Sequence, residues 1–118
     1  MLFDVTVTPA DSDPTVAVVA IVGELDVATA PQLRQELVGL SARGPHRLVI
    51  DLGGVDFLDS TGVGVLLGAV RRARTGDGRL ALANAEPQVA RVFEVTRLID
   101  ILPLHDSVEA AARSLVED

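Results

Sequence analysis

The sequence predicts an α/β domain in the order ββαβαβαβα: a mixed, mostly parallel sheet with an N-terminal hairpin and four helices packed against it. Three observations carry this expectation. Two β-like runs come first, separated by a turn from Pro9 to Pro14. After them, short apolar runs alternate with stretches of helical periodicity, as crossovers between parallel strands require. Finally, 118 residues that are 48% hydrophobic and 23% charged can enclose one core without disulfides or metals. A single domain over 1–118 is expected.

Phe3–Thr8 places apolar side chains at period two, the mark of a half-buried strand. Pro-Ala-Asp-Ser-Asp-Pro then breaks the ladder. Val16–Val22 is continuously apolar, as a central strand covered on both faces should be. The two strands are expected to pair as an antiparallel hairpin. Thr29 is read as the cap of the first helix, with Gln32 completing a capping box and Pro31 tolerated in the first turn. Leu33, Leu37 and Leu40 share one face of that helix, and Gly44-Pro45 is its stop signal.

Arg47–Leu52 is the next strand, expected to end at Gly53-Gly54. A second helix starts near Asp59 or Ser60 and buries Val63, Leu66, Leu67 and Val70, while Arg71, Arg72 and Arg74 complement its dipole. Thr75-Gly76-Asp77-Gly78 turns into strand Arg79–Ala83. Asn84 is expected to cap a third helix carrying Val89, Val92 and Phe93. Leu98–Leu102, bounded by Pro103, is read as a short final strand. Asp106 or Ser107 caps the last helix, with Val108, Ala111, Ala112 and Leu115 inward.

Composition excludes several chemistries. Without cysteine there is no thiol nucleophile or Cys-ligated zinc. All ten cations are arginine, which removes a Schiff-base or P-loop lysine. No Trp or Tyr is present and there are only three Phe, so base stacking has few platforms. A net charge of −7 repels nucleic acid and anionic membranes. No apolar run approaches the length of a membrane span, and the N-terminus lacks the features of an export signal. A cytoplasmic protein with no cofactor and no bound metal is expected.

Two segments are the candidates for function. Val55-Asp56-Phe57-Leu58-Asp59-Ser60-Thr61-Gly62-Val63-Gly64-Val65-Leu66 brings a strand into the mouth of a helix, where free N–H groups and the dipole favour an anion. Gly62 and Gly64 each cost a helix about 1 kcal/mol against Ala, which suggests that the first turn needs them. The structural alternative is that Asp59 or Ser60 is only an N-cap and the glycines serve packing. An aspartic protease motif does not fit, because Asp-Ser-Thr-Gly has one residue too many and occurs once. Gly62-x-Gly64-x-x-x-Gly68 is not a dinucleotide fingerprint. A serine nucleophile lacks a base, since His46 starts a strand at the opposite sheet edge and His105 is no better placed. The second segment, Gly23-Glu24-Leu25-Asp26, follows a strand; with parallel pairing to Arg47–Leu52, Asp26 and Ser60 emerge at the same sheet edge.

Gly-Glu-Leu-Asp before an amphipathic helix, together with Asp56-Phe57-Leu58-Asp59-Ser60-Thr61-Gly62-Val63-Gly64-Val65-Leu66, resembles the STAS domain, and in particular the anti-sigma factor antagonists. The resemblance covers essentially the whole chain and implies a STAS-like fold. It implies that Ser60 is a phosphoacceptor and that Asp26 supports partner engagement or phosphorylation. Unphosphorylated, such a protein binds an anti-sigma factor that is itself a serine kinase, freeing the sigma factor; phosphorylation blocks binding and a phosphoserine phosphatase restores it. The expected partner surface is Asp26, Thr29, Phe57, Leu58, Asp59, Thr61, Gly62 and Val63, with Phe57, Leu58 and Val63 as its apolar rim. A scaffold subunit of a stress-signalling assembly is the alternative. Neither is an enzyme.

Overall fold

The computed structural model describes residues 3–43, 47–76 and 78–116. Strands β1 (Asp4–Pro9), β2 (Val16–Leu25), β3 (Arg47–Leu58), β4 (Arg79–Ala83) and β5 (Leu104–His105) form one sheet in the order β1-β2-β3-β4-β5. Helices α1 (Ala30–Arg43), α2 (Ser60–Thr75), α3 (Pro87–Val95) and α4 (Val108–Val116) flank it. β1 is antiparallel to β2 and every other pairing is parallel. Gly44-Pro45, His46 and Asp77, read from the sequence as a helix stop, a surface histidine and part of a turn, lie outside the described residues.

Two apolar layers hold the sheet. On one face, Val19, Ile21, Ile50, Leu52 and Leu82 meet Leu33, Leu37, Leu66, Val70 and Phe93 of α1, α2 and α3. On the other, Val16, Val18, Val49, Ala81 and Ala83 meet α4 through Ala111, Ala112 and Leu115. The continuous apolar run of β2 thus has the cause expected of it, cover on both faces. Leu67 and Val92, expected in the core, pack at its margin half-buried.

β3 does not stop at Gly53-Gly54. It runs on to Leu58, pairing with β2 as far as Leu25, whereas β4 follows β3 only to Asp51. The two glycines mark close backbone approach and irregular register. A Cβ on Gly54 would lie 2.7 Å from the Ile21 carbonyl oxygen, and one on Gly53 would collide with Asn84 Nδ2. β1 also ends its pairing at Val22, so beyond that point β2 and β3 continue as a ribbon of two strands.

Two further assignments shift. Asn84 does not cap α3: it sits at φ 66 and donates from Nδ2 to Asp51 Oδ1 at 3.3 Å. The helix starts after Glu86 with Pro87 in its first turn, and that proline is the start signal. Leu98–Leu102 is not a strand either. Leu98–Asp100 forms a 3₁₀ turn, Leu102 is buried, and the fifth strand follows Pro103. Ser107 does cap α4, with Oγ accepting from Ala110 N at 3.1 Å.

Phe93 is the largest fully buried side chain among the described residues. Phe93→Ala is expected to cost about 3–5 kcal/mol, read as a lower urea midpoint with little change in slope.

Candidate functional site

The site stands at the free tip of the β2–β3 ribbon. Leu25 pairs with Leu58, so the next residue of each strand's exit, Asp26 on one side and Asp59 on the other, is brought beside its counterpart. A backbone bond from Asp59 N to Leu25 O at 3.2 Å fastens the two exits together. The shared sheet edge expected for Asp26 and Ser60 is a direct result of this parallel register.

Each exit is organised by an aspartate acting as an N-cap. Asp59 Oδ1 accepts from Gly62 N at 3.0 Å, and its carbonyl accepts from Val63 N at 3.0 Å. Those bonds satisfy donors that a helix start otherwise leaves open. At the other exit Asp26 Oδ1 accepts from Ala28 N at 2.9 Å and Thr29 N at 3.2 Å, while the Asp26 carbonyl accepts from Ala30 N at 2.8 Å. Thr29 Oγ1 in turn accepts from Asp26 N at 3.0 Å and donates to the Glu24 carbonyl at 2.7 Å. This is a reciprocal capping box shifted three residues N-terminal of the one read from the sequence: Asp26 is the cap, Thr29 its partner, and Gln32 takes no part.

Ser60 and Thr61 are the first two residues of α2 and both are exposed. The Ser60 hydroxyl has no hydrogen-bond partner among the described residues. Around it, Phe57 is 49% exposed and Asp56 is exposed, while Asp26, Thr29 and Asp59 are half-buried. Leu58 and Val63, expected on the apolar rim, are instead core residues at 6% and 8% exposure. Leu58 faces the same side as Leu25, and Val63 begins the inward stripe of α2, so neither side chain is on the surface. The rim is Phe57 together with Val27, which is 71% exposed. Val27 gives no signal in the sequence, because a lone valine between Asp26 and Ala28 in a short connection reads as an ordinary loop residue. An open groove lined by Val27, Ala30, Pro31, Arg34, Thr61 and Val65 continues from it between α1 and α2.

The two glycines of the α2 mouth differ in cause. A Cβ on Gly62 would lie 2.7 Å from both Leu25 Cγ and Leu58 Cδ1 and 2.9 Å from the Leu25 carbonyl oxygen. Gly62 is therefore the residue that lets the helix sit on the ribbon, and it is buried, not a contact surface. A Cβ on Gly64 would meet nothing within 4 Å. Gly64 leaves a bare, exposed patch one turn from Ser60.

The STAS domain family matches residues 8–111. The chain is a STAS-family member. It is 38% identical over 95 residues, 80% of the chain, to the anti-sigma-B factor antagonist of Bacillus subtilis, covering 86% of that protein. The structure resembles an anti-sigma factor antagonist from Mycobacterium paratuberculosis with a TM-score of 0.87, 29% identity and 98% and 96% coverage of the two chains. It also resembles the Bacillus anti-sigma factor antagonist SpoIIAA. In the unphosphorylated form the TM-score is 0.74 at 26% identity, with 96% of each chain covered. In the phosphorylated form it is 0.69 at 25% identity, with 96% and 99% covered. No described helix is long and apolar enough to cross a membrane.

Thermal melts distinguish the roles of these residues. Gly62→Ala is expected to destabilise the STAS domain by about 1–3 kcal/mol through overpacking, whereas Gly64→Ala should be neutral or stabilise by up to about 1 kcal/mol. Asp26→Asn keeps an effective cap and should leave the melting temperature nearly unchanged, while Asp26→Ala should cost about 1 kcal/mol. Equal losses in both would show that the charge, not the cap, is what stabilises this turn.

Proposed function

We propose that this STAS protein is an anti-sigma factor antagonist switched by phosphorylation of Ser60. Unphosphorylated, it binds an anti-sigma factor that is a serine kinase and thereby frees the sigma factor; phosphorylated, it lets go, and a phosphoserine phosphatase restores it. The observation that carries this reading is the exposed Ser60 hydroxyl at the first position of α2, unbonded among the described residues. The family membership and the relative known in phosphorylated and unphosphorylated forms support it.

The chemistry of the switch comes from the position. A phosphate adds about −1.5 to −2 charge at neutral pH. The N-terminal end of α2 offsets part of that charge, so the fold tolerates the modification. Asp26, Asp56 and Asp59 do not offset it: on a surface that already carries these three carboxylates, the added charge opposes any acidic or apolar partner patch. A loss of only about 3–4 kcal/mol of binding energy is a change of several hundredfold in affinity. Phe57 and Val27 supply apolar anchors on the partner surface, and Asp26, Thr29, Asp59 and Thr61 its polar part. Gly62 contributes by seating the helix and Leu58 and Val63 by holding the ribbon's packing.

Reaction with the cognate kinase and ATP, followed by digestion and mass spectrometry, should place a single phosphate on Ser60. Ser60→Ala should bind the anti-sigma factor and resist phosphorylation, and Ser60→Asp should fold normally yet bind at least about tenfold more weakly. Thr61→Ala should remain a substrate. A phosphate on Thr61, or wild-type affinity in Ser60→Asp, would overturn the assignment. Phe57→Ala should weaken binding by about 1–2 kcal/mol or more while barely moving the melting temperature, as titration calorimetry would show.

A further inference from the structure

The two outer strands of the sheet are treated differently. β5 is two residues long and directly follows Pro103, so it is too short to template another strand. β1 runs six residues with no register shift, and among the described strands nothing pairs with its outer side. No lysine or arginine interrupts it, and its one charge is Asp4 at the start. Of the usual protections of an edge, β1 has only Pro9, at its far end.

The register decides which backbone groups face outwards. In an antiparallel ladder alternate residues exchange both bonds with the neighbouring strand, and the residues between them turn both groups away. Ala10 N donates to the Val16 carbonyl at 2.8 Å, one step beyond the pairing Pro9↔Ala17. Ala10, Thr8, Thr6 and Asp4 therefore bond to β2, while Val5, Val7 and Pro9 turn their backbone groups to the free side. The place of Pro9 agrees, since a residue without an N–H is tolerated where the ladder to β2 needs none. Water satisfies these outward groups in the single chain.

The outward pattern is its own complement. A second β1, related by a two-fold axis normal to the sheet beside Thr6, sets Val5 against Val7, Thr6 against Thr6 and Asp4 against Thr8. Val5 and Val7 then exchange both backbone bonds, and Phe3 N–H reaches the Pro9 carbonyl. An axis at Val5 would oppose Val7 to Phe3, which lies outside the strand, and would leave Thr8 and Pro9 unpaired. An axis at Val7 would oppose Val5 to Pro9, which has no N–H to return. The side chains suit the register about Thr6. Phe3 and Val5 are half-buried against the core and Val7 is 39% exposed, whereas Asp4, Thr6 and Thr8 are all exposed. The pairing continues this apolar row from one copy into the other, opposes β-branched residues and sets no carboxylate against a carboxylate.

We propose that β1 is a homodimer seam, through which two copies of this chain pair antiparallel about Thr6 and share one continuous sheet. One such pairing uses up the open edge, so association closes at two copies. The seam is a single strand wide and each copy carries −7, so the dimer is weak, depends on concentration and is favoured by salt. The axis reverses the strands and carries the two Ser60 sites to opposite ends, where both stay open. The seam does not rest on the proposed phosphorylation.

The test combines sedimentation with site-specific cross-linking of the full chain. Over a concentration series up to about 1 mM in screening salt, monomer should pass to dimer and to nothing larger. Val7→Pro removes an outward N–H but no bond to β2, so it should weaken the dimer about tenfold or more, with circular dichroism checking the fold. The chain has no cysteine, so Thr6→Cys is a clean probe. In this register its two copies lie about 4.5 Å apart between Cα atoms, within reach of a disulfide. Oxidised glutathione should therefore link Thr6→Cys into a dimer. Asp4→Cys and Thr8→Cys, each about 13 Å from its own counterpart, should stay unlinked. Equal linking of all three would mean random collision and would overturn the register. A chain that stays monomeric throughout the series, or a dimer in which Thr6→Cys does not link, would overturn the seam.

Discussion

The parallel register of β2 against β3, carried past the rest of the sheet to Leu25 and Leu58, is the constraint on which the site depends. Pairing fixes where both chains leave the sheet, and the Asp59–Leu25 backbone bond fixes how far apart they leave it. The functional groups are then set by the first residues beyond each strand. Two aspartates cap two helices, and the second helix presents Ser60 one residue later. A shift of one residue in this register would exchange the inward and outward sides of the ribbon. Leu25 and Leu58 would then go into solvent and Phe57 into the core.

Because the caps are aspartates, structure and charge are combined in the same side chains. Asp26 and Asp59 each satisfy backbone donors of a helix start, and each leaves carboxylate charge at the sheet edge from which Ser60 emerges. The electrostatic background of the proposed phosphorylation site is thus built by the residues that hold the helices in place. Replacing aspartate by asparagine separates the two roles, since the cap survives and the charge does not.

Much of this is legible in the sequence because it rests on periodicity and local capping chemistry. The uninterrupted apolar run of β2, the alternation in β1 and the α2 stripe of Val63, Leu66 and Val70 define the layers. The Asp-Ser-Thr-Gly mouth points to the site. The features that escape a reading of the sequence involve contacts distant along the chain. Gly53-Gly54 looks like a strand end, because the approach of Ile21 and Asn84 that demands these glycines comes from other segments. Leu58 and Val63 look like rim residues, because burial at a ribbon tip depends on how a helix sits over it. Asn84 has the composition of a cap, but its left-handed backbone and its bond to Asp51 place it in a turn.

The ribbon also sets a scale of local stability. Strands in the middle of the sheet are held by a neighbour on each side and by helices above and below, so opening them approaches the cost of unfolding the whole domain. Past Val22 and Asp51, β2 and β3 have only each other among the described strands. Hydrogen bonds in such a segment open at a fraction of the global free energy, as separate cooperative units do in native-state exchange. In the proposed switch, a kinase that draws an extended peptide around Ser60 into its active site needs to loosen only the first turn of α2 and the ribbon beneath it, while α4 and the central strands stay closed.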